Sequence, residues 1–468
     1  MSHLPIISQQ ELDRQSEIMS RVAALNEHKH PLAFVDTYGC QQNEADSEKL
    51  RGMLSRMGYR FTDDEHSADI IVINTCAVRE HAEHRILGNV GALTHTKRAK
   101  PGQKIVLCGC MVQQKHMAER IKRSFPIVDL VFGPHEMYRF PELIEQMIQP
   151  HKGRIFAVRD TQGEYVEGLP SLRQGRVKAW LTVMYGCNNF CSYCVVPLVR
   201  GRERSRTPDK VLEEARRLVD EGYKDITLLG QNVNSYGRDL DSDWDFSRLI
   251  ESINSIPGDF VIRFMTSHPK DASERLFKTI ADCEKAAKHI HLPFQSGSSR
   301  VLSAMNRHYT RESYLALVEL AREIMPQISL TSDVIVGFPS ETEEDFEETL
   351  SLVERVRFDM LFTFIYSPRA GTPAEKMPDP VSREEKQLRF DRLLEIHNAI
   401  SAENQASHIG KTERVLIDGV SSAAAGNLTG RTSENRLVYL SGPRELVGSF
   451  KNVKITDSNT WSLTGSII

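Results

Sequence analysis

Short apolar runs alternate with amphipathic segments between residues 31 and 150. The runs "LAFVD", "DIIVIN", "KIVLC" and "DLVFG" predict buried strands, and helices are predicted to begin near Glu44, Arg79 and Gln114. Alternation of strands and helices predicts an open parallel sheet that carries helices on both faces.

A second alternating series runs from residue 177 to residue 404. Its predicted strands are "AWLTVM", "DITLLG", "VIRFM", "HIHLPF", "SLTSDVIVGF" and "LFTFIYS". Amphipathic segments such as "DKVLEEARRLVDEG" and "EEDFEETLSLVERV" predict the helices between them. Six such units predict a partial (βα)6 barrel, a fold that carries its chemistry at the carboxyl ends of its strands.

The remaining segments have other patterns. Residues 405–468 contain "TERVLIDGV", "LTGRTSENRLVYLSG", "LVGSFKNVKITDSN" and "WSLTGSI", which predict a small antiparallel β-barrel. Residues 1–30 are a polar lead-in, and residues 151–176 carry turn residues without a long period, which is typical of a linker. The predicted fold class is α/β, with an open parallel sheet, a partial barrel and a terminal β-barrel.

Composition narrows the class of protein. With 40% hydrophobic and 26% charged residues, the 468-residue chain is typical of a soluble protein, and no apolar run is long enough for a membrane span. The first residues lack the apolar core of a signal peptide, so we expect a cytoplasmic protein whose eight cysteines are thiols or metal ligands. The net charge of −4 argues against bulk electrostatic coating of nucleic acid but allows a local basic face.

Three cysteines stand close together in "GCNNFCSYCVVP". Cys187, Cys191 and Cys194 have the spacing C-x3-C-x2-C and follow the first predicted barrel strand, while the next His or Cys is His268. A cubane iron–sulfur cluster held by three thiolates leaves one iron open to an exogenous ligand. The alternative is a structural zinc site, which needs a fourth ligand from a remote residue.

A second set of cysteines follows three different predicted strands of the N-terminal sheet. Cys40, Cys76 and Cys110, called here the N-terminal trio, each lie at or beyond a strand's carboxyl end, where ligands bind in open α/β sheets. Any one of them alone has the simpler interpretation of a small buried hydrophobe. Cys108 has the same strand parity as Cys110, so geometry does not choose between them, and Cys283 is predicted to be structural.

Both cysteine sets and the terminal barrel resemble the radical S-adenosylmethionine (SAM) methylthiotransferase family over about residues 31–468. The strings that carry the resemblance are "YGCQQNEADSE", "NTCAVREHAEHR", "YGCNNFCSYCVVPLVRGRERSR", "LLGQNVNSYG", "HLPFQSGSSRVLSAMNR", "DVIVGFPSETEEDF" and "YSPRAGTPA". In that family the motif GC(M/L)xQ supplies a cluster ligand, which assigns Cys110 rather than Cys108.

The resemblance implies two 4Fe–4S clusters, two SAM molecules per turnover and a transferase activity. One cluster is implied on Cys187, Cys191 and Cys194, where SAM is cleaved to a radical, and the auxiliary cluster on the N-terminal trio, where a bound sulfur is methylated. The implied reaction converts N6-isopentenyladenosine at position 37 of tRNA, next to the anticodon, to its 2-methylthio derivative.

Polar groups at the barrel strand ends are candidates for SAM contacts. They can equally hydrogen-bond with one another inside the barrel. The candidate residues are Tyr193, Gln231, Asn232, Ser267, Gln295 and Asp333.

The arginines of "VRGRERSR" directly follow the cluster loop. Arginine suits phosphate because its planar fork binds bidentately, although a solvated charge run is the usual explanation of such a string. The predicted RNA-contacting residues are Arg200, Arg202, Arg204 and Arg206.

The terminal barrel resembles a TRAM domain, an RNA-binding module. The expected partners are a tRNA that carries isopentenyladenosine in its anticodon loop and an electron donor such as flavodoxin or ferredoxin, with a monomeric enzyme and no membrane. Alternatives are the same chemistry on threonylcarbamoyladenosine tRNA or on an aspartate of a ribosomal protein, and a non-catalytic iron–sulfur protein that binds RNA or transfers electrons. The strings "GQNVNSYG" and "VRGRERSR" favour isopentenylated tRNA.

Overall fold

The computed structural model describes residues 7–77, 80–149, 153–159, 166–422 and 426–468. The chain forms two compact units. The first comprises Met1–Gln174, Tyr185–Asn188 and Val195–Arg204, and the second comprises Gly175–Met184, Asn189–Cys194 and Ser205–Ile468. The C-x3-C-x2-C stretch therefore contributes Cys187 to the first unit and Cys191 and Cys194 to the second.

A parallel sheet forms the centre of the first unit. Its strands are β1 Leu32–Thr37, β2 Arg60–Phe61, β3 Ile70–Thr75, β4 Lys104–Gly109, β5 Leu130–Phe132 and β6 Ile155–Ala157. They follow the order β2-β1-β3-β4-β5-β6, and every neighbouring pair is parallel. Strand β3 is buried along its whole length because apolar side chains cover both faces of the sheet. The predicted strands of this sheet are confirmed.

Helices cover both faces of this sheet. They are α1 Gln9–Asn26, α2 Gln41–Arg56, α3 Glu80–Ala99, α4 Cys110–Gln113, α5 Lys115–Ser124, α6 Phe140–Ile148 and α7 Val196–Val199, with a 3-10 helix at Pro134–Arg139. Helix α1 occupies most of the predicted polar lead-in: Ser8 caps it, and Ile18, Met19 and Val22 bury one face in the core. Residues 1–6 lie outside the described ranges.

Part of the predicted linker belongs to the sheet. Strand β6 pairs in parallel with β5 at one edge, with Ile155 opposite Leu130. A three-residue edge strand is too short to show a period of two, which is why the pattern of residues 151–176 indicated only turns. Residues 151, 152 and 160–165 of that segment lie outside the described ranges.

The second unit contains the strands of the predicted (βα)6 barrel. They are β7 Lys178–Thr182, β8 Met184–Tyr185, β9 Arg204–Ser205, β10 Asp225–Leu229, β11 Val261–Phe264, β12 His289–His291, β13 Ser329–Val336 and β14 Met360–Ile365, although β8 and β9 each straddle a unit boundary. Two parallel sheets result, ordered β11-β10-β7 and β12-β13-β14. The six strands predicted for the barrel are therefore confirmed in the described part of the chain, as β7, β10, β11, β12, β13 and β14.

Amphipathic helices pack against these strands. They are α8 Pro208–Asp220, α9 Phe246–Asn254, α10 Glu274–Asp282, α11 Ser299–Ala304, α12 Arg311–Ile324, α13 Glu343–Val356 and α14 Arg383–Ala406, with 3-10 helices at Val233–Ser235, Pro269–Asp271 and Pro373–Lys376. Thr310 and Thr342 begin α12 and α13 with reciprocal capping boxes. Within the described ranges, no helix combines the length and apolar composition that a membrane crossing requires.

A closed β-barrel ends the second unit. Its strands are β15 Thr412–Val420, β16 Leu428–Arg431, β17 Leu437–Leu440, β18 Phe450–Ser458 and β19 Leu463–Ile467, with a 3-10 helix at Arg444–Leu446. The ring order is β15-β16-β17-β19-β18, and β17 pairs with β19 in parallel. The predicted small antiparallel barrel is confirmed, with four antiparallel strand pairs; the pair β17–β19 is parallel because an odd number of strands in a closed ring cannot alternate direction throughout.

Buried polar contacts attach the barrel to the rest of the second unit. The Arg263 guanidinium donates to the Thr432 carbonyl oxygen at 2.9 Å and pairs with Asp225 at 3.0 Å. Arg436 pairs with Asp359 at 2.5 Å, and both side chains are mostly buried. Removing the whole barrel would take Arg436 from the mostly buried Asp359 and the Thr432 carbonyl from Arg263, so single exposed residues are the better probes of its role.

Candidate functional site

The N-terminal trio lies at the carboxyl ends of three adjacent strands. Cys40 caps α2 beyond the end of β1, Cys76 directly follows β3, and Cys110 is the first residue of α4, directly after β4. Strands β1, β3 and β4 are neighbours in the sheet. The fold therefore brings the three thiols to one edge, at the position where the strand order changes direction and ligands bind in open α/β sheets.

Two glycines shape the backbone beside these cysteines. Gly39 has φ +142°, and a Cβ on it would lie 2.8 Å from the Cβ of Cys76. Gly109 has φ +98°, and a Cβ on it would lie 2.4 Å from the Thr75 carbonyl oxygen. Only glycine permits both the backbone conformation and the close approach, so each glycine fixes the direction in which the next cysteine leaves the strand.

Cys108 packs in a different cluster of side chains from Cys110. Its side chain packs in the core beneath the sheet with Val106 and Phe132, and its sulfur lies 3.7 Å from the Ile73 carbonyl oxygen. Burial raises the pKa of the Cys108 thiol well above its ordinary value. Cys110 instead packs with Ala77, Val195 and Val199. The assignment of Cys110 as the ligand stays a prediction, and this geometry favours it over Cys108.

Arg200 is bound to the trio. Its Nε donates to the Cys110 sulfur at 3.1 Å, and its Nη1 pairs with Asp46 of α2 at 2.8 Å. Only 7% of the Arg200 side chain is exposed. Burial lowers the pKa of Arg200, but the charges of Asp46, Cys110 and Cys40 outweigh burial and hold that pKa well above its ordinary value. The guanidinium therefore stays charged beside the sulfur of Cys110.

The thiols of the trio interact electrostatically. Burial raises the pKa of Cys110 to about 12, the Arg200 cation lowers it, and the charges of Cys76 and Cys40 raise it further. Three neighbouring thiolates therefore need a positive partner to be stable together. Iron in a cluster supplies such a charge, since metal ligation deprotonates a coordinating thiol.

The C-x3-C-x2-C stretch is anchored locally in each unit. In the first unit the Cys187 amide donates to the Gly201 carbonyl oxygen at 3.1 Å. In the second unit the Cys194 amide donates to the Cys191 carbonyl oxygen at 3.0 Å, and the Ser192 amide donates to that of Met305 at 3.0 Å. These bonds hold the backbone of a loop that has no regular secondary structure around its first two cysteines.

A second buried arginine contacts this loop. Arg307 donates from Nη1 to the Cys191 sulfur at 3.3 Å and to the Tyr193 hydroxyl at 3.4 Å, and its Nη2 donates to the Pro293 carbonyl oxygen at 2.9 Å. Burial lowers the pKa of Arg307, but neighbouring charges led by Tyr193 raise it well above its ordinary value. Arg307 thus places a cation beside a predicted cluster ligand.

Several predicted SAM contacts are buried at the barrel strand ends. Asn232 is satisfied by the protein, since its Nδ2 donates to Asp271 at 2.7 Å and its Oδ1 accepts from the His268 amide at 3.1 Å. In contrast, the hydroxyl of Ser267 and the Oε1 of Gln231 are buried without a hydrogen-bond partner among the described residues. The alternative of internal hydrogen bonding therefore fits Asn232. Ser267 and Gln231 each have a buried oxygen that is available to hydrogen-bond with a ligand.

The remaining candidates, Gln295, Asp333 and Tyr193, contact other residues of the second unit. The Gln295 amide donates to the Asp333 carbonyl oxygen at 2.9 Å, and Gln295 adopts φ +64°. The Asp333 carboxylate lies 3.4 Å from the Nε2 of His291. Tyr193 packs edge-on against Phe338, with ring centroids 6.4 Å apart. SAM contact by these residues stays a prediction.

The arginine run is not a solvated charge run. Arg202 is exposed, but Arg200, Arg204 and Arg206 are buried. Arg206 donates to the Thr182 carbonyl oxygen at 2.8 Å and pairs with Glu214 at 2.7 Å. Counting charges along the string missed these pairings because the partner carboxylates lie outside it, Glu214 on the following helix α8 and Asp46 on α2. The proposed RNA contact thus has no exposed guanidinium at Arg200 or Arg206.

A small pocket, open to solvent, lies within the first unit. Basic and aromatic side chains line it together with apolar ones, and Arg200 reaches it from the cysteine side. Lys49 donates to the Tyr185 hydroxyl at 3.0 Å on its wall. Burial lowers the pKa of His135, another lining residue, to about 4, so that imidazole is neutral near pH 7.

The sequence patterns did not single out Asp46 or Arg307. Asp46 lies in α2, two turns after Cys40, inside the matching string "YGCQQNEADSE", and Arg307 ends the matching string "HLPFQSGSSRVLSAMNR". Both strings point to the right segments. Neither shows that these particular side chains lie beside cysteine sulfurs, because those contacts depend on how separate elements pack.

Three family models match the chain. The Radical SAM superfamily covers residues 181–353, a model described as uncharacterized protein family UPF0004 covers residues 33–133, and the TRAM domain covers residues 406–468. Among solved structures, the radical S-adenosylmethionine methyltransferase TsrM from Kitasatospora setae, determined with cobalamin and a [4Fe-4S] cluster, aligns with a TM-score of 0.53 at 15% identity. The alignment covers 74% of this chain and 77% of TsrM. The fold is that of a radical SAM protein.

Closer relatives extend over nearly the whole chain. Proteins from Thermoanaerobacter pseudethanolicus and Acetivibrio thermocellus are 48% and 49% identical over 462 and 468 residues. The alignments cover 99% of this chain and 98% and 97% of those proteins. Both relatives are named tRNA-2-methylthio-N(6)-dimethylallyladenosine synthase, and the chain belongs to that family. The predicted resemblance is confirmed, and neither zinc binding nor the other substrates are favoured.

Proposed function

We propose that the chain transfers a methylthio group to the adenine of N6-dimethylallyladenosine, also called N6-isopentenyladenosine, at position 37 of tRNA beside the anticodon. The observation that carries the proposal is the 48% identity over 99% of the chain to a protein named for this product. The cysteine geometry supports it, because the trio at adjacent strand ends is present alongside the C-x3-C-x2-C loop.

The two cysteine sets fit two [4Fe–4S] clusters. Cys187, Cys191 and Cys194 would hold one, and the N-terminal trio would hold the other. Each set supplies three thiols, and a four-iron cluster held by three thiolates leaves one iron open. When bound, the clusters supply the electron that cleaves SAM and an iron that carries the sulfur to be transferred. Apolar side chains of Val195 and Val199 pack on Cys110 and limit water at its sulfur.

Two buried groups support SAM binding in the second unit. His268 accepts a hydrogen bond at Nδ1 from the Lys270 amide at 3.3 Å, so its proton lies on Nε2, which has no partner among the described residues. Burial, followed by the charge of Arg307, lowers the pKa of His268, which keeps the ring neutral. With the Ser267 hydroxyl, this nitrogen offers donors suited to the carboxylate of SAM. Two SAM molecules are used per turnover.

The barrel supports recognition of tRNA. It matches the TRAM domain, and Trp461 on its surface is 45% exposed, which suits stacking of an unpaired base. A looped RNA can splay a base into an enzyme site. An electron donor such as flavodoxin or ferredoxin, action as a monomer and a cytoplasmic location belong to the same proposal.

Nucleoside analysis tests the proposed function. Anaerobically reconstituted enzyme is incubated with SAM, a reductant and tRNA that contains N6-dimethylallyladenosine, and the digested nucleosides are analysed by mass spectrometry. The expected product is the 2-methylthio derivative, with no product from tRNA that contains threonylcarbamoyladenosine. Methylthiolation of the threonylcarbamoyl tRNA alone would contradict the proposal.

A further inference from the structure

The guanidinium of Arg200 directs its nitrogen atoms to different targets. Nε donates to the Cys110 sulfur at 3.1 Å, and Nη1 pairs with the Asp46 carboxylate at 2.8 Å. Nη2 is buried and has no hydrogen-bond partner among the described residues. The ion pair with Asp46 alone does not explain why an arginine is buried here with one N–H unused beside a sulfur. A lysine would be enough to neutralise a single carboxylate.

Asp46 fixes the orientation of this guanidinium. It lies on α2, the helix that Cys40 caps, and only 5% of its side chain is exposed. Because Arg200 binds Asp46 through Nη1 and Cys110 through Nε, the planar fork ties the helix after Cys40 to the sulfur of Cys110. Lysine has no such fork and would not hold both atoms in one plane.

We infer that Arg200 is a positioning residue for the auxiliary cluster. The guanidinium of Arg200 fixes the Cys110 sulfur and raises the reduction potential of the cluster. The inference rests on the proposed function, since it takes the N-terminal trio as the ligands. Reduction adds one negative charge to a cluster. A fixed cation and an N–H···S hydrogen bond stabilise that added charge, and hydrogen bonds to cluster sulfurs are an established means of setting potentials.

The burial of Arg200 fits a positioning role at the cluster and argues against contact with RNA. A phosphate-binding arginine must expose its fork, whereas the Arg200 side chain is 7% exposed and two of its nitrogens are already bound. Exposed Arg123 at the end of α5 has the same charge without contact to a cysteine of the trio in the described structure, which makes it a matched control.

The test uses full-length protein in which Cys187, Cys191 and Cys194 are all changed to Ala, so that iron reports only the N-terminal trio. Arg200→Met, Arg200→Lys and Arg123→Met are added to this background. After anaerobic reconstitution, iron per chain is measured, and the potential is determined by dithionite titration followed by electron paramagnetic resonance. We expect a more negative midpoint potential in Arg200→Met, a smaller shift in Arg200→Lys, and the parent potential in Arg123→Met.

An Arg200→Met protein that retains its iron and the parent potential would overturn the inference. If Arg200→Met does not retain iron, Arg200→Lys decides, and an unchanged potential there overturns the inference in the same way. Absence of iron from the parent background is a different outcome, since it contradicts the cluster assignment of the proposed function itself.

Discussion

Gly109→Ala tests how the trio is held in place. Gly109 has φ +98° and ψ −164°, a region open essentially to glycine alone. A Cβ at this position would lie 2.4 Å from both the Asn74 Oδ1 and the Thr75 carbonyl oxygen, and 2.7 Å from the Thr75 amide nitrogen. Thr75 ends the buried strand β3, so its backbone cannot move aside without disturbing the sheet.

The size of the effect follows from two terms. The backbone conformation costs about 1–3 kcal/mol for a residue with a side chain. Overpacking against a fixed backbone adds about 1–3 kcal/mol. The sum of about 2–6 kcal/mol is a large fraction of the stability of a domain, and a shift of the chain at Gly109 relieves it by moving Cys110 directly.

Iron and product are measured together to check this prediction. We expect Gly109→Ala to lose about half of its iron, lower its melting temperature, and yield 5′-deoxyadenosine from SAM without methylthiolated tRNA. Gly91→Ala is the control, because Gly91 lies in α3 and no neighbouring atom of the described residues comes within 4 Å of the place a Cβ would take. Alanine there favours the helix by about 1 kcal/mol. Full iron content and normal product in Gly109→Ala would refute the reasoning.

Three further predictions concern other parts of the chain. Cys108→Ala should keep the iron and product of the wild type, whereas Cys110→Ala should lose one cluster; the reverse result in iron analysis would show that the wrong cysteine was assigned. Trp461→Ala should weaken tRNA binding by about 1–3 kcal/mol without affecting SAM cleavage, and equal affinity in a filter-binding assay would contradict base stacking. Burial raises the pKa of Glu341 to about 7 despite Arg389, so its contribution to stability is complete below about pH 4.5 and is lost as the pH rises to 7. Glu341→Gln should therefore gain up to about 3 kcal/mol relative to wild type over this interval in denaturant titrations, and parallel pH profiles would count against it.

Hydrophobic periodicity predicted the main strands of both α/β parts and several of their helices. Strands such as Ile70–Thr75 and helices such as Glu343–Val356 were predicted within a residue or two, because continuous apolar runs and capped amphipathic segments have few other folded forms. The strand β6 at Ile155–Ala157 was missed because it is short and lies at an edge. The parallel closure of the terminal barrel follows from the number of strands, which no local pattern encodes.

The positions of the candidate ligands could be predicted from the sequence, whereas the side chains around them could not, and cluster binding by these cysteines stays a prediction. The sequence shows which cysteines lie at strand ends because the apolar runs show where the strands end. The topology of the sheet then places β1, β3 and β4 side by side. Arg200 was predicted to contact RNA because it belongs to an arginine-rich string that directly follows the cluster loop and because arginine suits phosphate. Its carboxylate and sulfur partners, Asp46 and Cys110, lie 154 and 90 residues away in the chain, a distance that local charge patterns do not span.

The most direct test of the account measures two products in one reaction. Protein in which Cys40, Cys76 and Cys110 are all changed to Ala is incubated with SAM, reductant and tRNA that contains N6-dimethylallyladenosine. Because Cys187, Cys191 and Cys194 ligate the other cluster alone in this account, 5′-deoxyadenosine should still form, while mass spectrometry of the nucleosides should find no 2-methylthio derivative. Methylthiolated tRNA from this variant would show that the N-terminal trio does not carry the transferred sulfur.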